Sequence, residues 1–547
     1  MSRILGQFGT DIAPYVLRGT PGRGEEPGTR VLRGRGWALA GERADSRGGV
    51  AAVLAGAVEV RLPLLSRIEA GGRPVAERNH AALLRAAFET DGESFAGQVR
   101  GAYAAAVVDT RGTPVLVLAA DEAGAVPLYY HWNATREVLS FATEIPALLA
   151  LLPDPPALWT PGLDAYLSTG AALGGATLIE GVRVLPPGTT AVCARGRAPR
   201  LLRHGPEGAR KVPGPGLPDR DLPVAPGSHP GVPGTPGLAP GGARDPMSGA
   251  TPGPTSGPGS GPGSGPVPES PSPEPKADPV TDPVSEPMSD PLDRRRARDL
   301  AVLLPALLWR LGQPEADPGA LTAYARYGAL PQAPRATDLA VEAAAGRERV
   351  AVAVADPAED WTARYAEGLA PVGAVGRTRL YSADYRAYLA ERGGAAEALA
   401  VRLGEAAAVR SRRVALTAFE RDELLPVRGL RRAAHLGGAG VRVPGDARQR
   451  VSGLLVPGGA LTDLVRELLS PARLRASGLL SWRAVERLLA AQLARPSERL
   501  AGTIWALSMF ELWREEYAVT VRRPVPPAVR AKSPAELPVL GRRTVSL

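Results

Sequence analysis

From about Gly205 to Asp290 the chain is dominated by Pro, Gly and Ser, and this stretch divides it into two foldable blocks. A segment such as Thr251-Pro-Gly-Pro-Thr-Ser-Gly-Pro-Gly-Ser260 has no large apolar side chain to bury, so ordering it costs conformational entropy without return. The composition predicts a disordered linker over residues 205–292. Two blocks remain to carry cores, residues 1–204 and 293–525, followed by a Pro- and Arg-rich flexible tail, 526–547. With 547 residues in all, each block is long enough to bury a core of its own.

Net charge is +9 and comes almost entirely from arginine, since the only lysines are Lys211, Lys276 and Lys532. The arginines alternate with Asp and Glu and show no aromatic-interleaved patch in sequence, which predicts a solvated surface rather than a nucleic-acid or membrane partner. Cys193 is the single cysteine, which excludes a disulfide framework and a CxxC metal site. His80, His131, His204, His229 and His435 are scattered, so no metal site is expected. The start, Met1-Ser-Arg-Ile-Leu-Gly6, lacks a basic-then-apolar leader, and no run approaches 18 apolar residues. Cytoplasm is the expected location, and the sequon Asn133-Ala-Thr135 is read as accidental.

Within the first block, Tyr103–Val108 and Val115–Ala120 are β-like runs separated by the turn Asp109-Thr-Arg-Gly112, which reads as a hairpin. Asn79–Glu89 has helical spacing, with Ala82, Leu83, Ala86 and Ala87 on one face. Ala147–Leu152 reads as a helix end cut off by Pro153. The mixture predicts an α+β fold with antiparallel sheet. The second block reads as mostly helical, with helix starts at Ser470-Pro471 and Ser481-Trp482. Val485, Leu488, Leu489, Gln492 and Leu493 form a stripe closed by Pro496. Ile504–Trp513 is apolar nearly all round, as in a helix buried among others.

The order of motifs in the first block is specific. Phe95-x-x-x-Val99-Arg-Gly101-x-Tyr103 precedes Val108-Asp109. Asp121-x-x-Gly124-x-x-Pro127-Leu-Tyr-Tyr130, Phe141-Ala-Thr-Glu-Ile145 and Thr177-Leu-x-Glu180-Gly-Val-Arg183-x-Leu185-Pro-Pro-Gly188 follow. This series resembles the glutaminase half of glutamine-hydrolysing asparagine synthetases. Leu311-Gly-Gln-Pro314-x-Ala-Asp-Pro318, Leu461–Pro471 and Leu507–Trp513 are similar to parts of that family's C-terminal domain. The resemblance implies an αββα sandwich of the N-terminal-nucleophile type. It also implies a mostly helical remnant of an α/β asparagine-synthase (PP-loop) domain.

What the resemblance implies for chemistry is loss. The family's nucleophile is a cysteine directly after Met1, activated by its own free amine, and here that position is Ser2. The oxyanion-hole Asn-Gly falls on Ala55-Gly56, so only the backbone of Gly56 is left to donate. The acid that holds the substrate's amine falls at Asn79. The phosphate-cradling Ser-Gly-Gly-x-Asp-Ser loop is missing, with the linker in its place. The second family signature falls on Val354–Asp360, where Pro357 removes an N–H, while Asp356, Glu359 and Asp360 are candidate magnesium ligands. His435-Leu-Gly-Gly-Ala-Gly440 is glycine-rich but lies well downstream, and a loop or helix end is the reading.

The sequence is therefore read as a non-catalytic binding or regulatory relative of asparagine synthetases. It needs no cofactor, and its partner is a protein or peptide such as a catalytically intact relative; a homodimer is compatible. Two alternatives stand beside this: a diverged glutamine- and ATP-dependent amide-forming enzyme using magnesium, or an amidase using Ser2 as its N-terminal nucleophile. The linker yields the first test. Limited proteolysis followed by mass spectrometry should show first cuts inside 205–292. These should leave one fragment ending near Arg203–Arg220 and one beginning near Arg294.

Overall fold

The alternation of side chains in the first block determines its architecture. In the computed structural model, which describes residues 3–10, 12, 29–72, 79–173, 175–204, 210–211, 304–309, 311–316, 336–424, 451–458 and 460–522, this block is two antiparallel sheets face to face. Ser2, most of the predicted linker, His435–Gly440 and the tail lie outside the described residues. The strands are β1 (Ile4–Gly9), β2 (Arg30–Gly34), β3 (Trp37–Gly41), β4 (Arg43–Arg47), β5 (Val50–Gly56), β6 (Glu59–Val60), β7 (Val99–Arg100) and β8 (Tyr103–Asp109). They continue with β9 (Val115–Ala120), β10 (Tyr129–Asn133), β11 (Val138–Ala142), β12 (Val182–Val184), β13 (Thr189–Ala194), β14 (Arg200–Arg203) and β15 (Arg210–Lys211). One sheet has the order β12-β10-β11-β1-β3-β2, and the other β15-β14-β13-β9-β8-β5-β4.

The expected hairpin is present, with Val107 opposite Val117 and Asp109 opposite Val115. Alternate residues of β5 and β8 face opposite ways, as a pleat requires. Ala51, Val53, Ala55, Ala104, Ala106 and Val108 join the core between the sheets, whereas Val50, Ala52, Leu54, Tyr103, Ala105 and Val107 join the outer one. The facing sheet contributes bulk to the inter-sheet core: Ile4, Phe8, Trp37, Leu39 and Phe141. Small side chains thus oppose large ones, which lets the layers interdigitate. At Gly6 the fit is so close that a Cβ would meet the Phe141 ring at 2.7 Å and the Ala38 carbonyl oxygen at 2.5 Å.

Two helices, α1 (Leu62–Ala70) and α2 (His80–Asp91), cover the outer face of the seven-stranded sheet. The six-stranded sheet is covered differently. Its outward Leu5, Ala38, Ala40, Tyr129 and Ala142 share one apolar core with α3 (Ile145–Leu149), α4 (Gly162–Thr169) and helices of the second block. That block is mostly helical, as expected: α5 (Ala336–Ala355), α6 (Trp361–Gly368), α7 (Ala374–Leu380), α8 (Ala383–Arg392), α9 (Ala395–Val409), α10 (Arg412–Phe419), α11 (Val451–Leu454), α12 (Ala460–Leu468), α13 (Pro471–Ser477), α14 (Trp482–Ala494) and α15 (Glu498–Glu516). Helix α15 is buried from Ile504 to Trp513, and Tyr166 donates to the Ala506 carbonyl at 3.1 Å. The segment at Leu311–Ala316 docks on the same helix, where Trp513 Nε1 donates to Gly312 O and Trp505 Nε1 to Glu315 O.

A buried polar cluster closes the joint between the blocks. Asp164 is only 4% exposed and accepts from Tyr381 Oη at 2.7 Å and from the Ala395 N–H at 2.6 Å. Tyr385 Oη accepts from the Asp164 N–H and donates to Thr160 O. Arg377 Nε lies 3.9 Å from Asp164 Oδ1. Burial beside this carboxylate pushes both tyrosine hydroxyls well above the ordinary phenol range, so they remain protonated donors.

Three details depart from the sequence reading. Arg210–Lys211 pairs with β14, which carries the sheet into the stretch read as linker. Beyond Tyr517, where the turn to Pro- and Arg-rich sequence predicts a frayed end, the chain instead returns to the first block, with the Leu158 N–H bonded to Thr520 O and the Thr520 N–H to Pro156 O. Ser470 and Ser481 stand at the N-cap positions of α13 and α14, but neither makes the expected side-chain cap bond. At Ser481 the backbone is drawn into a bridge between Tyr381 and Leu480, and its ψ of 105° differs from the 164° of Ser382, which does cap.

The interdigitated sheets set an expectation for overpacking. Ala106→Leu places three extra carbons between the layers and should lower unfolding free energy by about 1–3 kcal/mol in urea titration. The same change at the exposed Ala408 should leave the midpoint unchanged.

Candidate functional site

One end of the sandwich collects the positions at which the sequence reading placed glutaminase chemistry. The start of β1 lies there, because Arg3 O and the Ile4 side chain both border Gly41, as does Val53 of β5. Two residues beyond Val53 the strand reaches Ala55 and Gly56. Ala55 is fully buried, with its methyl in the inter-sheet core. Gly56 has φ of +89°, a conformation that glycine adopts freely, and a Cβ there would fall on the Ala102 carbonyl oxygen. Helix α2 begins beside this point, since His80 Nδ1 lies 2.9 Å from Val58 O. The fold therefore brings Ala55, Gly56 and Asn79 to the end where the chain start enters. Ser2 itself lies outside the described residues.

The side chains at this end are engaged structurally. Asn79 Oδ1 accepts from the Ala82 N–H at 3.1 Å and caps α2, and the Asn79 carbonyl accepts from Leu83 N at 2.9 Å. Ala55 presents no donor. Arg43, opposite Leu54 on β4, donates through Nη1 to the Gly56 carbonyl. Arg3 pairs with Glu144 at 2.6 Å, and Thr143 Oγ1 accepts from the Ile4 N–H at 3.2 Å. Sequence reasoning did not find Arg43 or the Arg3–Glu144 pair. Only the register of β1, β4 and β11 reveals them, because they are distant in sequence.

Asp121, quoted only as part of a motif, shapes the base of the same sheet. Its carboxylate is 2% exposed and accepts from the backbone N–H groups of Tyr103, Ala123, Ala125 and Val126. Burial pushes its pKa upward while the four donors pull it down, and burial prevails. The role is to fold the turn after β9. Cys193 is no substitute nucleophile: it is fully buried, its thiol donates to Arg197 O at 3.1 Å, and burial pushes its pKa up to about 12.

The three acids of the second block are also tied up in part. Asp356 Oδ1 accepts from the Ala358 N–H and pairs with Arg364 at 3.2 Å, and Arg364 also pairs with Asp360 at 3.1 Å. A single arginine thus spans two of the carboxylates proposed for magnesium, and Glu359 is not brought into the pair. Among the described residues, no group of three or more acidic, histidine or cysteine side chains is spaced to hold a metal ion. The stretch instead closes α5 against α10, where Arg412 donates to the Ala353 and Asp356 carbonyls and stacks 4.3 Å over Trp361. No described helix is long and apolar enough to cross a membrane.

Residues 46–201 match the model of the glutamine amidotransferase domain family. No curated protein matches the chain. Among solved structures it is similar to glutamine phosphoribosylpyrophosphate amidotransferase from B. subtilis, complexed with ADP and GMP, at 15% identity and a TM-score of 0.24. A structure described as the allosteric regulatory enzyme of purine biosynthesis gives the same identity and TM-score. Each similarity covers 38% of this chain and 48% of the other, so the chain spans about half the length of these proteins.

The capping role of Asn79 can be separated from any role in holding a substrate. Asn79→Ala should cost about 1 kcal/mol of stability, whereas Asn79→Asp, an equally good cap, should cost almost nothing in thermal unfolding. Equal losses in the two variants would remove the capping assignment.

Proposed function

We propose that this chain is a non-catalytic relative of asparagine synthetases that keeps a glutamine amidotransferase-type domain as a scaffold for binding a protein or peptide partner. The observation that carries the reading is the state of the glutaminase end. Ala55 supplies no oxyanion donor, and Asn79 caps a helix instead of offering a charge. An acyl transfer without the second oxyanion donor loses about 3 kcal/mol of transition-state stabilisation. Without a charged anchor, the substrate's amine also loses its partner. Ser2 alone, as a hydroxyl nucleophile, does not offset both losses.

The second block adds support. Its phosphate loop is missing from the sequence, and two of its three acids are joined through Arg364. A joint that buries Asp164, Tyr381 and Tyr385 together suits a rigid two-block body more than one that opens during turnover. The partner in this reading is a catalytically intact relative or a peptide processed by one, because the amidotransferase shape is what has been kept.

The reading is tested by an ammonia-release assay with glutamine on three forms of the full chain: wild type, Ser2→Ala, and a form whose N-terminal amine is blocked by an extension. All three should release no ammonia above buffer, and none should turn over Mg-ATP when aspartate and glutamine are supplied together. Glutamine hydrolysis by the wild type that vanishes in the other two forms would establish Ser2 as an N-terminal nucleophile and sink the proposal.

A further inference from the structure

Helix α15 ends on a residue that does not suit its backbone. The Val519 N–H bonds to Arg514 O at 2.8 Å and the Ala518 N–H to Glu515 O at 3.0 Å, the paired bonds of a left-handed helix stop. Ala518 occupies the left-handed position, with φ of +49°, where glycine avoids a clash between Cβ and the backbone. Helices α4 and α13 place Gly170 and Gly478 in that conformation, at +79° and +69°. Among the described residues, only Glu137 also has a positive φ without being glycine. Strain of this kind persists where neighbouring contacts hold it.

The contacts that hold it lie in the residues that follow. Thr520 forms a parallel bridge with Ala157, accepting from the Leu158 N–H at 2.7 Å and donating its own N–H to Pro156 O at 2.8 Å. Val519 is buried in the core shared by the two blocks, and Val521 packs against that core. Arg522 pairs with Glu180 at 3.1 Å, but its side chain is 73% exposed, so solvent screens the pair. On its other side, the stretch at Pro156–Leu158 is tied to the first block independently of Thr520. There the Glu180 N–H donates to Ala157 O, and the Trp159 N–H to Leu178 O. The Asp164 cluster is bonded more firmly, since its buried carboxylate accepts from Tyr381 Oη and the Ala395 N–H of the second block. The joint thus has one firm seam and one that few bonds hold.

We propose that Ala518–Arg522 is a releasable strap, hinged at Ala518, which opens while the rest of the joint stays closed. Release relaxes the hinge and exposes the seat of Val519, the Glu180 carboxylate and the backbone groups of Pro156 and Leu158. The strap does not depend on the function proposed above. Hydrogen–deuterium exchange on the full chain tests it, read at the Leu158 and Thr520 amides and, for comparison, at Leu507 and Phe510 inside α15. The Leu158 side chain is 1% exposed, yet its N–H donates to Thr520. Its amide should therefore exchange in step with that of Thr520, about tenfold or more faster than Leu507 and Phe510 after correction for intrinsic rates. Ala518→Gly should slow both strap amides about fivefold, and Ala518→Val, with a branched side chain that suits the left-handed region worse, should speed both. Exchange of Leu158 at the rate of Leu507 would mean that the strap parts only on global unfolding and would overturn the proposal. Leu158 and Thr520 responding separately, or neither responding to the changes at Ala518, would overturn it as well.

Discussion

The structure depends first on the packing of two sheets with unequal side chains. The inner face of the seven-stranded sheet is largely Ala and Val, and that of the six-stranded sheet is Phe, Trp, Leu and Ile. Dense packing between layers requires such complementarity, since a void forfeits dispersion contacts and an extra methylene forces strain. The placing of the candidate site follows from this register. Val53 and Ala55 point inward because Ala52 and Leu54 point outward, and β1 enters beside them because Gly41 leaves room.

Several elements of the first block were legible in sequence because strands and helices announce themselves by local pattern, whereas the layering of sheets between helices came only from the family resemblance. Tyr103–Val108 and Val115–Ala120 are apolar β-like runs about a turn, Asn79–Glu89 has helical spacing, and each became the expected element. The buried helix at Ile504–Trp513 was equally plain, since no face of it is polar enough for water. Long-range pairing was not legible. Arg43 at the Gly56 carbonyl, Arg3 with Glu144, and Tyr381 with Asp164 join residues whose proximity is set by sheet register or by helix docking. Nothing local to either partner encodes these contacts. The same holds for Ser481, a sound helix start by residue type, whose backbone is claimed by a bridge formed elsewhere.

For the candidate site, sequence supplied the positions and structure supplied their occupations. Asn79 fits both a substituted substrate anchor and a helix cap, and only the bond to the Ala82 N–H shows which task its oxygen performs. Asp356 and Asp360 similarly look like cation ligands until Arg364 is found between them. Polar residues have several potential partners, and the choice among them is made by tertiary geometry rather than by residue type.

The outer face of the six-stranded sheet has a consequence for how such a chain changes over generations. Leu5, Tyr129 and Ala142 are roofed by Ile504, Phe510 and Trp513 from the opposite block, and the chain comes back at Thr520 to pair with Pro156. Deleting the second block would strip the roof from the first and expose a broad apolar face to water, a hazard for any open sheet. The first block thus relies on the second to cover this face, whatever the chemistry of either. Selection for a stable first block alone is enough to preserve the helices that roof it, and residues at the open end of the sandwich can drift while that wall stays fixed.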